Sequence, residues 1–208
     1  MFKSVKGILF LFLLITAAVC SFVSCKEEKD PLIGKWEANI PHNVFASASD
    51  ASSELYMEYA DFSKVYKRQV YEFNEDGCYK ITVYVDEYIE SYKDAVYEGM
   101  RLYYENEIKE NGLDVTVDEL FESKGITRDS ITLDEKSLNR LEKERHSEGK
   151  YTVSEGKLYR SSSMEYDVDR SIYIEYEIEK DTLTFKKQVG GNELQAAKLF
   201  PLSFKNIS

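Results

Sequence analysis

The side chains that could do chemistry are few and widely separated. The chain has two histidines, His42 in a predicted loop and His146 at a predicted helix end. Neither has a Cys, His or carboxylate at the spacing that metal ligation requires, so both read as solvated surface residues. Cys78 follows a predicted hairpin turn and reads as a strand residue rather than a nucleophile. Asp167-Val168-Asp169 supplies two carboxylates without the other oxygens of a calcium loop, and reads as a solvated loop. Enzymatic chemistry needs a positioned base, nucleophile or metal site, and these residues assemble none. The expectation is a non-catalytic protein with no metal and no cofactor.

One cysteine points to a different chemistry. Lys3 and Lys6 precede an apolar run from Gly7 to Val19, the layout of a secretory signal peptide. The run is too short to span a bilayer, which takes roughly 20 apolar residues. It leads into Phe22-Val23-Ser24-Cys25, which resembles a bacterial lipobox, with Phe22 in place of the usual Leu. The resemblance implies cleavage after Ser24 and a lipid on Cys25, so that residues 1–24 are a signal peptide and the membrane is a partner. Cys20 is the poorer candidate, because Val19 is bulky for the position before a cut. Lys26-Glu27-Glu28-Lys29-Asp30 has no apolar content and reads as a solvated tether, taken over residues 25–31. Its acidic start is similar to the export signals that carry lipoproteins of the Bacteroidetes to the cell surface. The expected location is therefore the outer membrane, with surface exposure favoured.

Loss of the signal leaves Cys25 for lipid and Cys78 alone in the body, so no internal disulfide can form. The fold must stand on its core, which about 180 residues can supply as one domain. Removing Lys3 and Lys6 also takes the formal charge from −11 to −13. Such a body repels nucleic acid and anionic head groups, and neither is an expected partner.

Period-two alternation of apolar and polar residues, the mark of half-buried strands, dominates the rest. Ile33, Trp36, Ala38 and Ile40 fall in a first strand. Val70-Tyr71-Glu72-Phe73 enters the turn Asn74-Glu75-Asp76-Gly77 and returns as Cys78 to Val85, Asp-Gly supplying the positive φ. A later series runs from Lys150-Tyr151-Thr152-Val153 through Ser154-Glu155-Gly156 to Lys157-Leu158-Tyr159-Arg160. Ile172 to Ile178, a turn at Glu179-Lys180-Asp181, Leu183 to Phe185, and a last strand through Leu202 and Phe204 complete it. The count is about eight strands in up-and-down order, enough for a small closed barrel.

Residues 86–148 break the pattern and read as a helical insertion between two strands. Tyr88, Ile89, Tyr92, Ala95, Val96, Met100 and Tyr103 recur at helical spacing, and Asn111-Gly112 is a natural stop. Thr116 with Glu119 and Thr132 with Glu135 have the capping-box pattern of two further helices. Ser47 to Phe62 reads as a loop with one short helix. Strand phase puts Tyr71, Tyr79 and Tyr151 inside and Tyr84, Tyr159 and Tyr173 outside.

With the strands placed, three pieces resemble the lipocalin-like domains of bacterial lipoproteins. Gly34-Lys35-Trp36 after Leu32-Ile33 resembles the Gly-x-Trp that opens the first strand of lipocalins. Tyr71 to Tyr79 is similar to their aromatic-turn-aromatic hairpin. Gly149 to Val153 with Gly156 and Leu158, and then Tyr176 through Phe185, resemble their later hairpins. The resemblance covers a little over a third of the chain, and the helical insertion departs from it. It implies a mainly β, up-and-down antiparallel barrel over residues 32–208, with Trp36 packed across the closed end. It also implies a small apolar ligand in the barrel interior, lined by Trp36, Phe73, Tyr79, Ile81, Tyr151, Val153, Leu158 and Phe185. The alternative is a protein-interaction module of the envelope that uses the insertion and the outward tyrosines. A solidly filled interior would favour the second.

Overall fold

Turn chemistry sets the register of the sheet. Gly77 takes φ 78 and its amide donates to the Asn74 carbonyl at 3.2 Å, closing the first hairpin. At the second, Glu155 and Gly156 both have positive φ, 52 and 71, the left-handed pair whose twist matches that of the flanking strands. Lys180, at φ 56, serves the third. The computed structural model describes residues 30–45, 54–191 and 199–208; Cys25 and the tether up to Lys29 lie outside them. Its strands are β1 (Gly34–Pro41), β2 (Tyr66–Phe73), β3 (Cys78–Val83), β4 (His146–Ser154), β5 (Lys157–Arg160), β6 (Tyr173–Glu179), β7 (Thr182–Val189) and β8 (Leu202–Asn206). Each pairs antiparallel with the next, and β8 returns to β1 to close the barrel.

Register sorts the side chains. Trp36 stands opposite Tyr71, Tyr71 opposite Ile81, and Phe73 opposite Tyr79, so these share the inner face. At one end that face is filled: Trp36, Phe73, Leu158, Leu183 and Phe204 are at most 1 % exposed. The Trp36 indole N–H donates to the Leu32 carbonyl at 2.7 Å, which satisfies the one polar atom of a buried indole. The chain thus enters the barrel at its closed base.

The segment between β3 and β4 carries the helices, and its ends lie side by side: Thr82 pairs with His146, and the Val83 amide donates to the Arg145 carbonyl at 2.9 Å. The long helix α2 (Val85–Glu110), numbered after a single turn α1 (His42–Phe45), is followed by α3 (Val117–Lys124) and α4 (Glu135–Glu144). Thr116 caps α3 in the expected box with Glu119. The second expected box does not form. Asp134, not Thr132, caps α4 by accepting the Ser137 amide at 3.0 Å. The preceding Ile131 is buried in extended backbone, which holds the chain out of a helix at Thr132. Residues 146–148, read as the end of the insertion, belong to β4, and Tyr84 precedes α2 rather than ending a strand. The short helix expected near residue 55 is a 3-10 turn over Leu55–Tyr59 with another at Phe62–Lys64; residues 46–53 lie outside the described ones.

The insertion is not a separate body. Val85, Tyr88, Tyr92, Val96, Ile131 and Leu141 are buried in the same core cluster as the barrel residues. Gly99 of α2 lies against Ala60, where an added Cβ would come within 2.8 Å of that backbone. Arginines tie the helices together: Arg145 grips Asp86 and Glu142, Arg128 grips Glu90 and Asp94, and Arg101 meets Asp118. Among the described residues, no helix is long and apolar enough to cross a membrane.

Candidate functional site

The strand phase that packs the base also carries polar groups into the other end. Following the inner face upward from Trp36, Tyr71 and Leu158, the next inward positions are Lys67 and Gln69 on β2, Ser147 on β4 and Arg160 on β5. Between β6 and β7 the register shifts at Glu175/Tyr176, leaving one extra residue on β7, so that Phe185 faces Tyr176 while Gln188 faces Ile174. A bulge of this kind re-aims a side chain. Here it turns Gln188 inward and leaves Lys186 and Lys187 exposed.

These groups border two cavities that share a wall. The larger, about 520 Å³, lies at the mouth between Ile40, Val83, Phe185 and Leu202, with Lys143 and Glu144 of α4 at its edge. The smaller, about 360 Å³, opens through the side between β4 and β6. Its cause is the length of β5, which has four residues and pairs with β4 only over Tyr151–Ser154. The chain then leaves the wall. Ser161 is buried, its hydroxyl accepts the Lys150 amide at 2.8 Å, and its carbonyl accepts the Tyr79 hydroxyl at 2.7 Å. Gly149 permits this crossing: a Cβ there would come within 2.9 Å of the Ser161 carbonyl and the Tyr79 ring. Arg160, Ile81, Ser147, Ile174 and Gln188 line both cavities.

Arg160 is the most unusual of them. Its guanidinium donates to the Tyr71 hydroxyl at 3.0 Å and sits 5.5 Å from the ring centres of both Tyr71 and Tyr79. Burial raises the Tyr79 phenol above its ordinary pKa, with Arg160 opposing, so that ring is neutral and supplies no counter-charge. Among the described residues no carboxylate pairs with Arg160, whereas Lys67, also an inward cation, is joined to Glu144.

Of the eight residues expected to line a ligand site, four border these cavities. Tyr79 and Leu158 face the side cavity, Phe185 faces the mouth cavity, and Ile81 faces both. The other four belong to the packed base. Trp36 and Phe73 are at most 1 % exposed, Tyr151 packs edge-on to Phe73 and donates to the Asn74 carbonyl at 2.9 Å, and Val153 packs against the core. Arg160, Lys67, Gln69, Ser147 and Gln188 were not anticipated. Arg160 was findable, since it lies two residues beyond inward Leu158.

The remaining chemistry-bearing residues do not converge. His42 is not the solvated residue its sequence context suggests: its ring stacks 4.6 Å from Phe62, and its Nδ1 lies 2.9 Å from the Tyr88 hydroxyl. His146 is exposed on β4. Burial, then Asp76, pushes the Cys78 thiol up, away from thiolate character. Asp169 accepts from the Ser171 amide and hydroxyl, while Asp167 pairs with Lys150. Outward Tyr159 and Tyr173 lie against each other at 5.7 Å, and Arg68 lies 4.0 Å above the Tyr84 ring. Comparison of the chain with protein-family models, with curated proteins and with solved structures gave no match.

Proposed function

We propose that this chain is a membrane-anchored lipoprotein of the bacterial outer membrane whose lipocalin-like barrel binds a small, largely apolar ligand without catalysis. The observation that carries this is the division of the barrel interior. One end is packed, and the other holds a cavity of about 520 Å³ walled by Ile40, Ile81, Ile174, Phe185 and Leu202. Concave sites of some 300–1,000 Å³ with apolar walls and a few convergent polar groups are the usual form of small-molecule sites. The tyrosines that would serve a protein-interaction module, Tyr84, Tyr159 and Tyr173, are engaged by neighbours on the barrel's own outer surface, which favours the ligand reading over that alternative.

The test uses the full chain reconstituted in phosphatidylcholine vesicles with a photoreactive diazirine derivative of dodecanol, a neutral apolar probe. Saturable adducts on residues lining the cavity, lost when Ser147→Trp fills it, are the expected result. Adducts that never saturate, or that are unchanged in the filled variant, would defeat the proposal. Anchoring is checked separately with a tagged fatty acid in cells: Cys25→Ala should abolish labelling and Cys20→Ala should not.

A further inference from the structure

We infer that the ligand carries a single negative charge, a carboxylate joined to an apolar chain or ring, and that Arg160 with the Tyr71 hydroxyl receives it. This rests on the ligand-binding proposal above and specifies the head group.

The inference begins with what Arg160 lacks. A guanidinium has five N–H donors and is charged at any physiological pH. Arg160 spends one bond on Tyr71 and faces two aromatic rings, and among the described residues no carboxylate neutralises it. Even a half-buried charge without a counter-ion is unfavourable, and an apolar side chain of similar volume would fill the position better. Arg68, Arg101, Arg128 and Arg145 each have a carboxylate partner, and Arg170 is exposed on a loop. Among the described residues, the inward arginine is thus the one set in a cavity without a carboxylate partner.

The charges nearby limit what that counter-ion can be. Among the described residues, the charged ones lining the mouth cavity are Lys67, Lys143, Arg160 and Glu144, and Glu144 is joined to Lys67. The cavity is therefore locally positive in a chain whose formal charge is −11, and the acidic surface is screened beyond about 8 Å at physiological ionic strength. One free guanidinium fork beside one phenol hydroxyl suits a planar monoanion held by two parallel bonds. A dianionic phosphate would need a second cation in contact; Lys67 is already paired, and Lys143 is exposed at the edge of the cavity. The body of the ligand follows from the walls. Ile81 and Ile174 flank Arg160 in both cavities, and Phe185 and Leu202 continue the apolar surface toward the mouth. Two openings reach the same guanidinium, so a head seated there can extend its chain through the mouth or through the side gap above β5.

The experiment compares diazirine-labelled dodecanoic acid at neutral pH with the matching dodecanol, on the full chain in phosphatidylcholine vesicles. Variants are Arg160→Met and Arg160→Lys, with Arg160→Gln used if the Met variant loses its strand circular dichroism. Comparing variants for one probe cancels its partition into the bilayer. The expected result is that Arg160→Met raises the half-saturating dodecanoate concentration about tenfold to a hundredfold. Arg160→Lys, which keeps charge but not the fork, should fall between, and in each variant dodecanoate should lose far more affinity than dodecanol. Equal loss of both probes would make Arg160 a structural residue and overturn the inference. Dodecanoate labelling insensitive to Arg160 would also overturn it while leaving an apolar site intact. Failure of both probes to saturate in the wild type would overturn the ligand proposal and this inference with it.

Discussion

At the base of the barrel, Trp36, Phe73, Leu183 and Phe204 fill the interior and are at most 1 % exposed. A few residues along the same strands, the inner face carries Lys67, Gln69, Arg160 and Gln188 around open volume. Both ends obey the same alternation and the same register, so the difference lies in which side chains occupy the inward positions. The base is selected for density: aromatic pairs such as Tyr71 with Phe204 at 5.2 Å and Phe185 with Phe204 at 4.9 Å contact edge to face, and its polar atoms find partners. The mouth keeps a cation that no carboxylate among the described residues neutralises. A packed end confers stability, and an end that tolerates an unfavourable charge is where function is to be sought.

The two ends should respond to substitution with opposite signs. Trp36→Ala removes a fully buried aromatic and its bond to Leu32, and should cost about 3–5 kcal/mol, read as a lower denaturant midpoint. A loss of only a few tenths would mean that the base is not a packed core. At the junction, Gly149→Ala forces a methyl group against the Ser161 carbonyl and the Tyr79 ring. Overpacking of this kind should cost about 1–3 kcal/mol and would also loosen the crossing that frames the side cavity. Arg160→Met should have the reverse effect in the empty protein, raising its stability by up to about 1 kcal/mol, because a half-buried charge without a carboxylate partner is replaced by an apolar chain. Destabilisation by Arg160→Met would erase the distinction between the two ends.

Much of this contrast was legible in the sequence. Alternation, the Asp-Gly turn and Gly156 point to an eight-stranded barrel, and Gly34-Lys35-Trp36 marks its buried start. Strand phase alone puts Tyr71, Tyr79 and Leu158 inside, and the same phase would have put Arg160 there. Hydrophobic pattern reading passes over an inward arginine because it scores residues by polarity before position. Gln188 was not legible: period two from Phe185 points Lys187 inward, and only the β7 bulge reverses that. The side opening was equally hidden, since it depends on where β5 stops and on Ser161 binding back to Lys150. In the insertion, Thr116 and Glu119 act as their pattern implies. Thr132 does not, because burial of Ile131 outweighs a local capping signal.

The smallest expected effect concerns the carboxylate-paired arginine clamps of the insertion, which contrast with the inward arginine of the barrel. Arg145 holds the Asp86 and Glu142 carboxyls below their ordinary pKa through hydrogen bonds, and Arg128 does the same for Glu90. Carboxyls depressed in the folded state stabilise it above their unfolded values, roughly pH 4. That contribution is lost as pH falls through their lower folded values. Exchange of the α2 amides should therefore accelerate ahead of those of β1 to β3 on acidification. Simultaneous acceleration in both regions would contradict a clamp local to the helices.

The most direct test of the central claim is a crystal structure of the protein grown with dodecanoate. The expected result is a carboxylate within hydrogen-bond distance of the Arg160 guanidinium and the Tyr71 hydroxyl, with the chain lying along Ile174 and Phe185 and the base around Trp36 unchanged. A barrel whose mouth closes around Arg160, or a ligand seated with its head away from that guanidinium, would contradict it.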